Sequence, residues 1–377
     1  MILTRKIVRK IVLAILRGSK IKPGDRIYIE AVEVGKMITD LLVEEIAKLD
    51  AVAYVEKRTD RTDLAYSIFA SEETARLYYE MLAETKIQQM WMYNKHLILA
   101  GSSRRNKYGN LPPHLDKYRK AMLKKVYGAL RDTIEWWGFY IIPTSKKFFE
   151  DIEGVSVEAC HKMAVQAFTA DYTAMAKAAE GLLELLSIGK GIKIKTVDPE
   201  GNEYLFKCSI QGQKPVIDDG SINLPGGEVY LAPIRNSAEG HLFLEPISIV
   251  NDMVFSGILL SFSEGKIEEE SCRVGDEDAL RSILDEHIDN RYLGEVAIAF
   301  NFLIQLIIGN IVFDEKFGGS FHIAPGKCAP GTENGQTTTT LHWDIIGFAA
   351  EFWVDDVLVV KDGKFQGEYA VLNQLFI

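Results

Sequence analysis

Apolar residues at Leu3, Ile7, Ile11 and Ile15 recur at every fourth position, which predicts an amphipathic helix laid against a domain. Lys22-Pro23-Gly24-Asp25 then reads as a turn into the β-branched run 26–30. Helical periodicity returns over about 34–49, and 51–55 reads as a second strand. Further helices are predicted at 72–84 and 114–135, strands at 89–93 and 138–142, and one long helix over about 156–186. Gly189 and Gly191 supply its stop, because glycine takes the left-handed conformation that ends helices. Strands alternating with helices in this way predict a parallel sheet.

Beyond residue 190 the texture changes to short strands at 192–197, 203–208, 228–231, 242–246 and 253–262, broken by Gly, Asp, Asn and Pro, with one helix at 276–287. The expected fold is therefore α/β: an amino-terminal parallel α/β domain over 1–190, followed by a β-rich α+β metal-binding domain over 191–377. A chain of 377 residues is long enough for two cores.

The formal net charge of −10 excludes the broad basic face that nucleic acid requires, and the pairs Arg104-Arg105 and Lys146-Lys147 are isolated. The first 17 residues are too interrupted by charge for a targeting segment, and no stretch approaches the ~20 apolar residues of a membrane span. Cys160, Cys208, Cys272 and Cys328 form no CxxC pair, which suits a reducing cytoplasm.

Six residues carry the chemistry. His342 and Asp344 are two apart, so the period of a strand puts both on one face, with Trp343 on the other. Glu228 follows Pro225-Gly226-Gly227 at the mouth of an apolar strand, and Glu295 follows Gly294 in the same setting. A carboxylate in such a position is costly unless it is paired or bound to a metal. Glu315 and His322 flank the turn at Gly318-Gly319, which allows both to reach one centre; Asp314 competes with Glu315 for that place. The set has the composition of a two-metal hydrolytic site, in which ions about 3.5–4 Å apart hold a hydroxide and polarise a carbonyl. His96 and His114 are expected to lie near no Asp/Glu cluster, His241 and His287 are flanked by ordinary surface sequence, and His161 reads as a packed or capping group within a helix.

Asn223-Leu-Pro-Gly-Gly-Glu-Val-Tyr-Leu-Ala-Pro233, Leu293-Gly-Glu-Val-Ala297, Phe313-Asp-Glu-Lys-Phe-Gly-Gly-Ser-Phe-His-Ile-Ala324 and Leu341-His-Trp-Asp-Ile345 resemble, in order, the signature of the aminopeptidase T family of metallo-aminopeptidases. The likeness extends to the amino domain through 12–30. It implies that Glu228, Glu295, Glu315, His322, His342 and Asp344 occupy metal-ligand positions for two divalent ions, zinc or cobalt. It also implies a homodimer that removes amino-terminal residues from peptides, a metal-bound hydroxide attacking the first peptide carbonyl. One departure stands out: the family pattern His-x-Ala-x-Gly-x-x-Tyr continues here as His322-Ile-Ala-Pro-Gly-Lys-Cys-Ala329, with alanine at the place of a tyrosine held to be catalytic. Lys327 and Tyr230 are the candidate replacement donors. Two other readings follow: a relative of ring-cleaving dihydroxypyridine dioxygenases holding one Fe(II) on His322, His342 and Asp344, and a metal-binding homologue without peptidase activity.

Overall fold

A computed structural model describes residues 4–58, 66, 69–101, 113–130, 133–142, 155–251, 253–336 and 339–374. Leu3, Arg104-Arg105, Lys146-Lys147 and the side chain of His114 lie outside what it describes. The chain divides into two compact units, one of residues 1–169 with 221–224, the other of 170–220 with 225–377.

The first unit opens with helix α1 (Arg5–Ser19), whose first turn is capped by the Thr4 hydroxyl accepting from the Ile7 amide, and which buries Val8, Ile11, Val12 and Ile15. Strands β1 (Arg26–Val32), β2 (Val52–Arg58), β3 (Lys95–Ala100) and β4 (Trp136–Ile141) form a wholly parallel sheet in the order β2-β1-β3-β4, extended by the short strand Asn223–Leu224. The helices between them are α2 (Lys36–Ala47), α3 (Glu72–Met90), α4 (Pro113–Leu130) and α5 (Val157–Phe168). The strand expected at 89–93 is the end of α3 and the turn after it. Ala75, Tyr79, Ala83, Lys86 and Met90 make one buried stripe at helical spacing, so the strand cannot begin before Lys95. His96 also departs from expectation. Its Nε2 lies 3.0 Å from Glu30 Oε1, in a buried group that includes Lys86.

The long helix expected over 156–186 is three. After α5, Asp171 caps α6 (Tyr172–Ala178) by accepting from the Ala174 amide, and α7 (Glu180–Ile188) follows. These last two helices count with the second unit, α6 packing against the turn of 3-10 helix Gly367–Gln374. The structural division therefore falls at Thr169, ahead of the expected boundary near 190.

The second unit holds an eight-stranded antiparallel sheet ordered Lys266–Ser271, Ile258–Ser263, Glu239–Leu244, Glu203–Ser209, Gly191–Val197, Glu351–Val354, Val357–Lys361 and Lys364–Phe365. The strand expected across 253–262 is interrupted at Ser256-Gly257, where Gly257 takes φ +59°. Helix α8 (Glu277–Asp285) stands where one was expected, capped by Asp276. A second antiparallel sheet carries the chemistry: β5 (Val216–Asp218), β6 (Glu228–Leu231), β7 (Leu293–Ala299), β8 (Phe321–Pro325) and β9 (Ile345–Gly347), in the order β9-β8-β7-β6-β5. Every residue of β6, β7, β8 and β9 is buried, which is why these strands read as continuous apolar runs rather than alternating ones. Short helix α9 (Ile311–Asp314) leads into the glycine turn before β8.

Candidate metal centre

The register of the second sheet gathers the predicted residues on one face. Asp218 lies opposite Glu228 and Glu228 opposite Ala299; in the next row Tyr230, Ala297 and His322 lie side by side. Glu295, two residues from Ala297, shares that face, and the alanines between the polar groups leave it room. The pairing of β7 with β8 slips between Leu293 and Glu295, a bulge of the kind that re-aims a side chain.

Two glycines make the arrangement possible. At Gly319, φ is +88° and an added Cβ would meet the Gly363 carbonyl oxygen at 2.0 Å, so the turn that joins Glu315 to His322 tolerates no side chain. At Gly294 a Cβ would lie 2.3 Å from the Lys327 carbonyl oxygen. That carbonyl accepts a 2.6 Å hydrogen bond from His342 Nδ1. The bond fixes the tautomer and turns Nε2 of His342 toward the cluster, the arrangement seen behind metal-ligating imidazoles.

Five of the six residues form two overlapping sets, Glu228, Glu295 and His322 in one and Glu295, His342 and Asp344 in the other, with ligand atoms within 4.8 Å of one another in each. Glu295 belongs to both: Oε1 lies 3.0 Å from His322 Nε2 and Oε2 3.4 Å from His342 Nε2. Asp344 Oδ1 is 3.2 Å from His342 Nε2 and 3.8 Å from His322 Nε2. His342 is the most open member, its side chain 29% exposed, whereas His322 and Glu295 are buried.

Glu315 joins the cluster through Lys316, whose Nζ lies 2.8 Å from Glu315 Oε1 and 3.2 Å from Asp218 Oδ2 and also donates to Glu228 Oε1. Asp314 is engaged elsewhere, accepting the Ile308 amide at 2.7 Å. Lys316 and Asp218 were not anticipated. Asp218 sits in Val216-Ile-Asp218, a short strand ending in an acidic pair, and nothing in the spacing marks a lysine between Glu315 and Phe317 as buried. Ala329, at the family tyrosine position, is buried against Tyr230 and Ala297. Tyr230 sends its hydroxyl to the Pro330 carbonyl at 2.9 Å.

The electrostatics fit a cation. Burial pushes Glu228 up to about 7 and Glu315 up to about 8. Burial also opposes ionisation of Glu295 and Asp344, but hydrogen bonds from His322 and His342 hold Glu295 down, and the His342 charge does the same for Asp344. Burial would lower the imidazoles, yet the surrounding carboxylates outweigh it, raising His322 to about 9 and His342 well above its usual range. Glu228 Oε2 and Asp344 Oδ1 are buried without a hydrogen-bond partner. Carboxylates held this way, with imidazole nitrogens turned among them, are a donor set for divalent metal.

Comparison with known proteins agrees. Residues 206–362 match the thermophilic metalloprotease (M29) family. The resemblance to the aminopeptidase T family read from the motifs is borne out. Aminopeptidase 2 of Geobacillus stearothermophilus is 30% identical over 159 residues, a stretch covering 38% of this chain and 37% of that protein. The match thus spans little more than a third of that relative's length. Among solved structures, wild-type AmpT from Thermus thermophilus has the same fold, with a TM-score of 0.78 at 19% identity over 97% of this chain and 100% of that one. The fold extends to 2,5-dihydroxypyridine dioxygenase from Pseudomonas putida KT2440, with a TM-score of 0.58 at 14% identity over 97% of this chain and 98% of that one.

Proposed function

We propose that this chain is a metal-dependent aminopeptidase that removes amino-terminal residues from peptides, using two divalent ions. The observation that carries the reading is Glu295, which turns one carboxylate oxygen to each imidazole and so belongs to both ligand sets. Glu228 and His322 would complete one ion's ligands, His342 and Asp344 the other's, and Glu315 would hold Glu228 in place through Lys316. Imidazole nitrogen with carboxylate oxygen suits zinc or cobalt. Bound there, the pair supplies Lewis-acid polarisation of a carbonyl and water made nucleophilic at neutral pH.

The chain's own residues do the positioning. The Lys327 carbonyl holds the His342 ring, the alanines at 297 and 299 keep the face open, and the exposed edge at His342 admits substrate. A peptide's free amine is complementary to the carboxylate of Asp344, which stays ionised. Ala329 supplies no proton donor. Family resemblance carries the proposal of a homodimer, and the unpaired spacing of the four cysteines that of a cytoplasmic location; among the described residues no helix is long and apolar enough to cross a membrane.

Asp344 Oδ1, within 3.8 Å of both imidazoles, gives a second reading its footing: two histidines and one carboxylate on a single iron. One experiment separates them. The chain is purified without chelator, its ions are counted per subunit, and hydrolysis of aminoacyl anilides is followed with added zinc or cobalt. Two ions with turnover are expected. A single iron would transfer the site to ring-cleaving chemistry, and two ions with no turnover on a broad panel would make this a metal-binding homologue that is no peptidase.

A further inference from the structure

The two-ion reading uses Lys316 only as the link between Glu315 and Glu228, yet its surroundings imply more. It is 1% exposed, and its ammonium lies among three carboxylates: it donates to Glu228 Oε1 and is ion-paired with Glu315 Oε1 at 2.8 Å and Asp218 Oδ2 at 3.2 Å. An ammonium has donors and no acceptor, which suits a surround of carboxylates. The consequence falls unevenly on the two ligand sets. Glu228 belongs to the first and spends one oxygen on Lys316, leaving Oε2 as its buried, unpartnered atom. Among the described residues the salt bridges of Glu295 and Asp344 are to imidazoles alone, and the Lys316 charge reaches Asp344 only as a lesser influence.

Resting on the two-ion reading, we infer that Lys316 is a positioning residue that makes the two metal sites unequal: it fixes Glu228 as a one-oxygen ligand and repels the ion at Glu228, Glu295 and His322, so that the site at Glu295, His342 and Asp344 fills first and holds its ion more tightly. The physical basis is a fixed positive charge one carboxylate away from a divalent ion. With no water to screen it, that repulsion exceeds anything a surface lysine exerts. The same lysine keeps Asp218, Glu228 and Glu315 compatible in one buried place before any metal arrives. Loading is thereby ordered, and the more weakly held ion is the one nearer the lysine.

The test is a zinc titration of the full, metal-stripped chain against a competing chromogenic chelator, a readout independent of turnover. Wild type is expected to bind two ions in two resolved steps. Lys316→Met should tighten the weaker step by roughly 100-fold and the tighter step less, because the removed charge contacts Glu228 directly and reaches Asp344 only at longer range. Asp218→Asn, which removes a counter-charge and leaves the lysine, should move the weaker step the other way, by roughly tenfold. The double variant should return near wild type, since one charge of each sign is gone. If Lys316→Met does not fold, the opposite shift in Asp218→Asn still decides. Two ions whose weaker step is unmoved in Asp218→Asn, and in Lys316→Met where it folds, would overturn the role of Lys316 while the two-ion reading stands. One ion in wild type and in every variant would overturn that reading, and with it the inference.

Discussion

Each unit of this protein buries a glutamate, a histidine and a lysine together, and the two groups are built to opposite ends. In the first unit Glu30 receives Lys86 Nζ at 2.7 Å and His96 Nε2 at 3.0 Å, while Lys86 reaches on to Glu56 at 3.7 Å and Tyr28 donates to Glu56 at 2.9 Å. Hydrogen bonding from His96 and the Lys86 charge outweigh burial and hold Glu30 well below the carboxylate range. That group is closed. In the second unit Asp218, Glu228, Glu295, Glu315 and Asp344 share Lys316 and two imidazoles, three buried carboxylate oxygens go without a hydrogen bond, and Glu228 and Glu315 are forced upward. The contrast separates a structural charge network from a candidate metal site: in the first, two cationic side chains serve one buried carboxylate, whereas in the second five carboxylates outnumber one lysine and two imidazoles.

The sharpest way to break the comparison is Glu295→Gln. If the proposed two-ion aminopeptidase holds, it should remove the shared ligand, leave one ion at most, and lower aminoacyl-anilide turnover on the order of 10^4-fold, with elemental analysis and initial rates as the readouts. Lys86→Met probes the other group. Leaving Glu30 buried with His96 as its remaining partner should cost roughly 3–5 kcal/mol in chemical denaturation, with the ion count unchanged. A loss of metal in that variant would mean the two groups are not independent.

Stripping metal from the second unit is expected to cost about 2.7 kcal/mol for each ion that had been present at about 100 times its dissociation constant, read as a drop in melting temperature that added zinc reverses. The metal-free chain should also lose stability as pH rises. Glu228 at about 7 and Glu315 at about 8 hold protons in the folded state that the unfolded chain has already released near 4.5. His322, raised from 6.5 to about 9, acts in the same direction, since its stabilising proton is lost as pH passes its folded value. Bound ions displace those protons, so metal affinity should rise with pH and protons should be released in an unbuffered zinc titration. The smallest effect is expected for Tyr230→Phe, which gives up the 2.9 Å bond to Pro330: about 1 kcal/mol, with both ions retained. A large loss of turnover with full metal content would instead show that this phenol does the work missing at Ala329.

Much of this was legible along the chain. Strand at 26–30 and helix at 276–287 announced themselves through turn residues and periodicity, and they stand close to where they were expected. The strand placed at 89–93 failed because a buried stripe continuing to Met90 looks locally like an apolar run; only the packing of α3 against α4 shows which it is. His96 was passed over because its partner Glu30 lies 66 positions away, on a neighbouring parallel strand. Lys316 was missed for a similar reason: a lysine is ordinarily a solvated group, and its burial depends on Asp218 and Glu228, far off in sequence.

Local pattern was enough for the α/β start, the β-rich remainder and a shortlist of candidate ligands, five of which the fold brings together, because periodicity, glycine turns and carboxylates at the mouths of apolar strands are local properties. Only the tertiary structure decided that Glu295 faces both imidazoles, that Glu315 reaches the cluster through Lys316, and that the Lys327 carbonyl orients His342. Those are matters of strand register and of backbone approach at Gly294 and Gly319. Register is set by long-range pairing, and a chain read one residue after another does not contain it.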